Sequence, residues 1–275
     1  MPGTSLDNDD HDSPGALFLP DGTSLVPTDL ARGPWSTESL HGGPVGAVIT
    51  RAVEQNVAAD DGLRTTRLTI ELLRPVGTAP ITVRAAVVRP GRKVQVVDAA
   101  VEQNGIEVAW GRAVRIRVDP ALDVPEPTTP EDPAPDPPSA GVAVPFAASS
   151  YRGFHNGAVD IRYVSGRIDR PGPAIAWFRL LVPVVAGEEP SAEQRAVAVS
   201  DFGNGIGSEL PFATSVFINP DLTVHLLRPP EGEWICLDAR TRFGPPGTGL
   251  AESALWDERG RIGRALQSLY IETQP

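Results

Sequence analysis

The chain has 275 residues, 24 Lys and Arg against 35 Asp and Glu, a net charge of −11 and 41% hydrophobic residues. Its length predicts two domains at about 150 residues each, and its acidic balance argues against nucleic-acid binding, which needs a basic patch. The single cysteine, Cys236, excludes an intrachain disulfide, four histidines without a cysteine cluster argue against a metal site, and no run reaches the ~18 apolar residues of a membrane span.

Residues 1–14 read as a disordered acidic tail. They lack a basic region followed by an apolar core, so the expected location is the cytoplasm. A first module is expected over 15–118. After "GALFLP", the run "HGGPVGAVITRAVEQ" predicts a helix. Gly42, Gly43 and Pro44 punctuate its start, and Val45, Val48, Ile49, Ala52 and Val53 recur at helical spacing. Backbone N–H groups at its start, around His41, Gly42 and Gly43, suit an anion or a polarised carbonyl; the plainer alternative is a tight turn into the helix. Four β-branched strands follow, "TRLTIELL", "PITVRAAVVR", "KVQVVDAAVEQ" and "EVAWGRAVRIRV", with turns such as "QNGI" between them.

The segment 119–143 is rich in Pro and Asp with no apolar period, which predicts an extended linker. The second module, 144–275, repeats the order. "VDIRYVSGR" and "PAIAWFRLLVP" read as strands. "PSAEQRAVAVSDFGNGIG" reads as a helix with Ser191 and Gln194 as a capping box, and four more strands close the chain. The repeat is legible in letters: "RLTIELLRP" and "DLTVHLLRP" set Thr69 against Thr223, and "GRAVRIRV" against "GRALQSLY" sets Arg115 against Gln267. Two tandem copies of one helix-plus-antiparallel-sheet unit are the economical reading, an α+β fold whose halves cover one sheet edge each by pairing.

Gln267 shares a strand face with Ala265, Leu269 and Ile271. If that face is buried, its amide needs partners; on an edge strand it would meet water. Asp201 follows Val197 by one turn and ends its helix, where an acid opposes the dipole and calls for a compensating contact. Thr223 shares a face with His225 and Leu227, either for packing or for chemistry. Cys236 between Ile235 and Leu237 reads as a buried hydrophobe, and the five tryptophans as core or groove lining.

The stretches "HGGPVGAVITRAVE", "LTIELLRPV", "VSDFGNG", "LTVHLLRPPEGEW" and "DARTRFGPPGTGLAESALWDERGRIGRALQSL" resemble the acyl-CoA thioesterase II family. The resemblance covers nearly the whole chain apart from the tail and linker. It implies a double hot-dog, two helix-wrapped antiparallel sheets from a tandem repeat. It implies acyl-CoA as substrate, hydrolysed to fatty acid and CoA without metal or organic cofactor. It maps the family's water-holding Asp onto Asp201 and its Gln onto Gln267. The hydroxyl residue maps onto Thr223, with Asn219 as the alternative position and a substrate contact. Arg228, Arg240, Arg242 and Arg264 are available for the CoA phosphates. A non-catalytic acyl-CoA or lipid-binding module is the rival reading. A hot-dog hydratase is disfavoured by the lack of an Asp-x-Asn-x-x-His run, and assembly of the double unit into homo-oligomers is left open.

Overall fold

The structure is a computed structural model and describes residues 15–58, 61–123, 125, 132–146, 151–245 and 247–273. The expected 1–14 tail and part of the 119–143 linker lie outside these residues.

The first half runs β1 (Phe18–Asp21), β2 (Ser24–Pro27), α1 (Gly42–Gln55), β3 (Leu63–Glu71), β4 (Ile81–Arg89), β5 (Val94–Gln103) and β6 (Ile106–Arg117). The second runs β7 (Val159–Arg167), β8 (Arg170–Leu180), α2 (Ala192–Ser200), α3 (Gly203–Ile206), β9 (Ser215–Ile218), β10 (Asp221–Leu226), β11 (Trp234–Gly244), β12 (Thr248–Asp257) and β13 (Gly260–Thr273). Among the described residues thirteen strands form one sheet, twelve in the order β1-β2-β4-β5-β6-β3-β10-β13-β12-β11-β8-β7 and β9 paired to β13. Every neighbouring pair is antiparallel. This is the double hot-dog expected from the sequence.

The repeated strand is the seam. β3 pairs with β10, and Thr69 stands directly opposite Thr223. The same register corrects one expected equivalence. Thr69 pairs with Arg112 on β6, and Thr223 pairs with Leu266 on β13. The counterpart of Gln267 is therefore Ala113, one residue past Arg112. Letter alignment reached Arg115 because it matched the two Gly-Arg-Ala runs, which sit two residues out of step in the ladders: Gly111 pairs with Ile70, whereas Gly263 pairs with Leu226, the equivalent of Leu72.

Local chemistry explains the elements. The β5–β6 turn is Asn104-Gly105, both at positive φ (53° and 75°), the pairing a two-residue hairpin needs. α1 buries Val45, Ala47, Val48, Ile49 and Val53, each at most 2% exposed; a fully buried Val or Ile contributes about 1.5–3 kcal/mol. α1 and α2 pack antiparallel with almost no gap: a Cβ on Gly43 would stand 2.2 Å from the Ala198 carbonyl oxygen. Ser191 caps α2 by accepting from the Gln194 N–H, as expected. The reciprocal half of the capping box does not form, because the Gln194 amide donates to Glu54 on α1 instead.

Part of the expected linker packs on the second half. The Trp177 indole donates to the Asp136 carbonyl, and Val142 bridges to Tyr163. Cys236 is fully buried beside Trp177 and Trp256 in a small second core, and burial pushes its thiol up, with Asp238 adding to the effect.

Candidate active site

The end of α2 meets the start of α1, and Asp201 lies at that meeting. It is the C-cap of α2, its side chain is 4% exposed, and a Cβ on Gly42 would come within 2.7 Å of its Oδ2. The position is unfavourable to α2's own dipole but sits at the positive end of α1, which offsets it. That is the compensation the sequence called for.

Three side chains hold the carboxylate. Asn219, in the turn between β9 and β10, donates to Oδ1 at 2.8 Å. Gln267 on β13 donates to Oδ1 at 3.0 Å and to the Asp201 carbonyl at 3.3 Å, while its own oxygen accepts from the Asn204 N–H at 3.0 Å. Gln267 is 2% exposed on a strand flanked by β10 and β12, so it faces the core rather than water. His41 Nδ1 lies 2.7 Å from Oδ2 and also 3.1 Å from the Gly43 N–H, which it caps. One ring nitrogen offers either a hydrogen or a lone pair. The cap and the Asp201 contact are thus alternative states of one proton. Asn204 donates its amide to Asn219 and completes the ring of bonds.

Strand alternation decides Thr223. Leu222, Val224 and Leu226 are buried, so Thr223 and His225 face the other way. The Thr223 hydroxyl donates to Thr69 across the seam at 3.3 Å. The structure therefore brings together Asp201, Gln267, Asn219, His41 and Gly42, and does not bring Thr223 to them; Asn219 occupies the position expected of the hydroxyl. The apolar run Leu222, Val224, Leu226 carried this signal in the sequence. Asn204, three residues after Asp201 in "DFGNG", is an additional member that the sequence reading passed over.

Asp201, His41, Gly42, Asn204 and Asn219 line a cavity of about 480 Å³, within the roughly 300–1,000 Å³ usual for ligand sites. Its walls are largely aromatic and aliphatic, among them Trp35, Phe146, Phe212 and Phe217. Trp35, Phe212 and Phe217 pack against one another with ring centroids 4.8–5.5 Å apart, Trp35 stacked on Phe212 and edge-on to Phe217. Exposed Arg74 sits on the lining. Arg74 is not among the arginines expected to meet phosphate; of those, Arg228 is engaged by Asp257, Arg240 and Arg264 by Glu252, and Arg242 is exposed. No cluster of three metal-ligating side chains occurs among the described residues.

Residues 123–271 match a family model described as the acyl-CoA thioesterase C-terminal domain, and residues 31–116 match the corresponding N-terminal domain. The chain belongs to the acyl-CoA thioesterase family. Among solved structures it is similar to a hot-dog-fold protein of unknown function from Alicyclobacillus acidocaldarius (TM-score 0.68, 18% identity, covering 94% of this chain and 96% of that one). A putative thioesterase II from Thermobifida fusca gives TM-score 0.66 at 19% identity, covering 92% and 93%. The acyl-CoA thioesterase II TesB2 from Mycobacterium marinum gives 0.66 at 15%, covering 92% and 94%. At these identities the neighbours establish the fold alone. No curated protein matches the chain. No helix among the described residues is long and apolar enough to cross a membrane.

Proposed function

We propose that the chain hydrolyses acyl-CoA thioesters to the free acid and CoA, with Asp201 as the reacting carboxylate. The observation that carries this reading is a buried carboxylate on an apolar cavity, fixed by Asn219 and Gln267 and touching the start of a long helix. The acyl chain occupies the aromatic cavity. Arg74 at its lining is placed to meet the CoA phosphates.

In the reaction Asp201 takes a proton from water as the water oxygen bonds to the thioester carbon. The carbonyl oxygen becomes an oxyanion facing the first-turn N–H groups of α1; Pro44 has none to give, which leaves Gly42 and Gly43. Collapse of the tetrahedral species breaks the C–S bond, and the proton held by Asp201 passes to the leaving sulfur. When Nδ1 of His41 donates to Asp201, the Gly43 N–H is no longer engaged as its cap and is free for the oxyanion. A positioned base typically contributes ~10²–10⁴-fold and an oxyanion donor about 10²–10³-fold.

A non-catalytic acyl-CoA-binding module is the second reading. It is favoured by the fact that both Asp201 oxygens already have partners and no hydroxyl joins them. The experiment is CoA-thiol release from a panel of short, long and branched acyl-CoAs, with Gln267→Ala beside the wild type. Turnover that falls at least about 10²-fold in the variant supports hydrolysis at this site. Tight binding without turnover on any member moves the assignment to the binding module.

A further inference from the structure

His155 is the feature of the cavity that hydrolysis does not use. It lies in a short π-helical turn, Phe154–Ala158, and lines the same cavity as Asp201. Its side chain is 6% exposed, and neither ring nitrogen has a hydrogen-bond partner among the described residues. What surrounds it is chiefly aromatic: Phe146 stands edge-on at 5.1 Å and Tyr151 at 6.2 Å. Buried imidazoles in native structures are almost always paired, because a buried polar group without a partner costs on the order of 1–3 kcal/mol. A residue tolerating that cost on a cavity wall is placed for something that enters the cavity.

We propose that the acyl cavity accepts an acyl chain bearing a neutral oxygen, a hydroxyl or keto group, which pairs with the His155 imidazole. The proposal rests on the reading of the cavity as the acyl site. Its chemistry follows from the ring. Burial, with His41 nearby, holds His155 down at about 4, so at neutral pH it is uncharged. A neutral imidazole offers one N–H and one lone pair, which suits a hydroxyl (both donor and acceptor) or a carbonyl (acceptor). A carboxylate on the chain would need a charge partner, and His155 does not supply one. Tyr163 lines the same wall, and burial first, then Asp169, raises its phenol, so it too stays neutral and able to donate. An unbranched alkyl chain would leave both His155 nitrogens unpaired. Sites built to bond a substrate oxygen discriminate against the analogue lacking it, because their polar groups are then left unpaired.

The test uses acyl-CoAs of one fixed chain length, unsubstituted or carrying a hydroxyl or keto oxygen at successive carbons, with wild type, His155→Phe and His155→Gln. The quantity read is the ratio of kcat/KM for each oxygenated substrate to that for the plain one. At one oxygen position the wild-type ratio is expected to reach about tenfold, the value of one net hydrogen bond. His155→Phe returns the ratio to near one, and His155→Gln retains part of it. A wild-type ratio near one at every position overturns the proposal, as does a ratio unchanged in His155→Phe. If the wild type releases no thiol from any substrate, the hydrolytic reading fails, and dissociation constants for the same substrates carry the comparison. A preference lost in His155→Phe then supports the oxygen contact, and equal constants overturn it.

Discussion

In the proposed reaction Asp201 is the residue on which the chemistry turns, and its neighbours differ in what they contribute. Thr223 and Asn219 separate cleanly. Thr223→Val removes one hydroxyl pair with Thr69 on the outer face and should lower stability by about 1 kcal/mol or less while turnover stays within about twofold. Asn219→Ala removes a donor from the Asp201 carboxylate and should lower kcat by about 10²-fold. Thiol-release kinetics on folded variants check both, and a loss of turnover in the Thr223 variant would return the hydroxyl to the mechanism. His155 carries a pH signature of its own. Its folded value is about 4 against an unfolded 6.5, so below pH 6.5 the unfolded chain takes up its proton first and stability falls as pH drops from 6.5 towards 4. His155→Phe should flatten the stability-against-pH curve in that window, as read by denaturant midpoints at stepped pH; an unchanged slope would show that other groups set it. Of these residues, Asp201 and Gln267 were legible from the sequence through pattern: an acid on an apolar helix face and an amide on an apolar strand face. His155 was not legible, because nothing local to "GFHNGA" reveals that its ring lies on a cavity wall built from distant segments.

At the scale of elements, the contact between α1 and α2 positions the site. Gly42 and Gly43 act differently despite adjacency. A methyl on Gly43 meets the Ala198 carbonyl, which is backbone and cannot move aside, so Gly43→Ala should cost about 1–3 kcal/mol through helix separation. A methyl on Gly42 meets the Asp201 carboxylate, the end of a side chain, so Gly42→Ala should spare most of the stability and reduce kcat. Thermal midpoints beside initial rates distinguish the two; equal losses of stability would contradict this account. The helix starts and most strands were legible from capping residues, 3.6-residue periodicity and turn chemistry. Two things were not. The capping box at Ser191 loses its reciprocal bond to a tertiary partner, Glu54, and no local signal reports a partner 140 positions away. The Gln267 counterpart shifted from Arg115 to Ala113 because the two Gly-Arg-Ala runs sit two residues out of step in their ladders, a property of pairing that the letters do not show.

For the whole molecule, duplication explains both the seam and the asymmetry. The β3–β10 ladder makes one continuous sheet of the two halves, which should unfold in a single cooperative transition by calorimetry; two separated transitions would contradict a shared core. The helix pair has two ends where the halves meet. At one end Asp201 faces the start of α1 and the cavity opens beside it. At the other, Glu54 near the end of α1 accepts from Ser191 and Gln194 at the start of α2, each at 2.6 Å. Burial raises the Glu54 carboxyl, partly countered by Ser191 and Gln194, with Glu193 raising it further. Both ends thus hold a carboxylate between side-chain donors, and the proposed hydrolysis uses the Asp201 end alone. The direct measurement is CoA-thiol release by Asp201→Asn and by Glu54→Gln, each shown to be folded by circular dichroism, on the best substrate of the wild type. Asp201→Asn is expected to lose at least about 10²-fold in kcat, and Glu54→Gln to remain within about threefold of wild type. Turnover that survives Asp201→Asn, or that disappears in Glu54→Gln, would contradict the assignment of the active site to the Asp201 end.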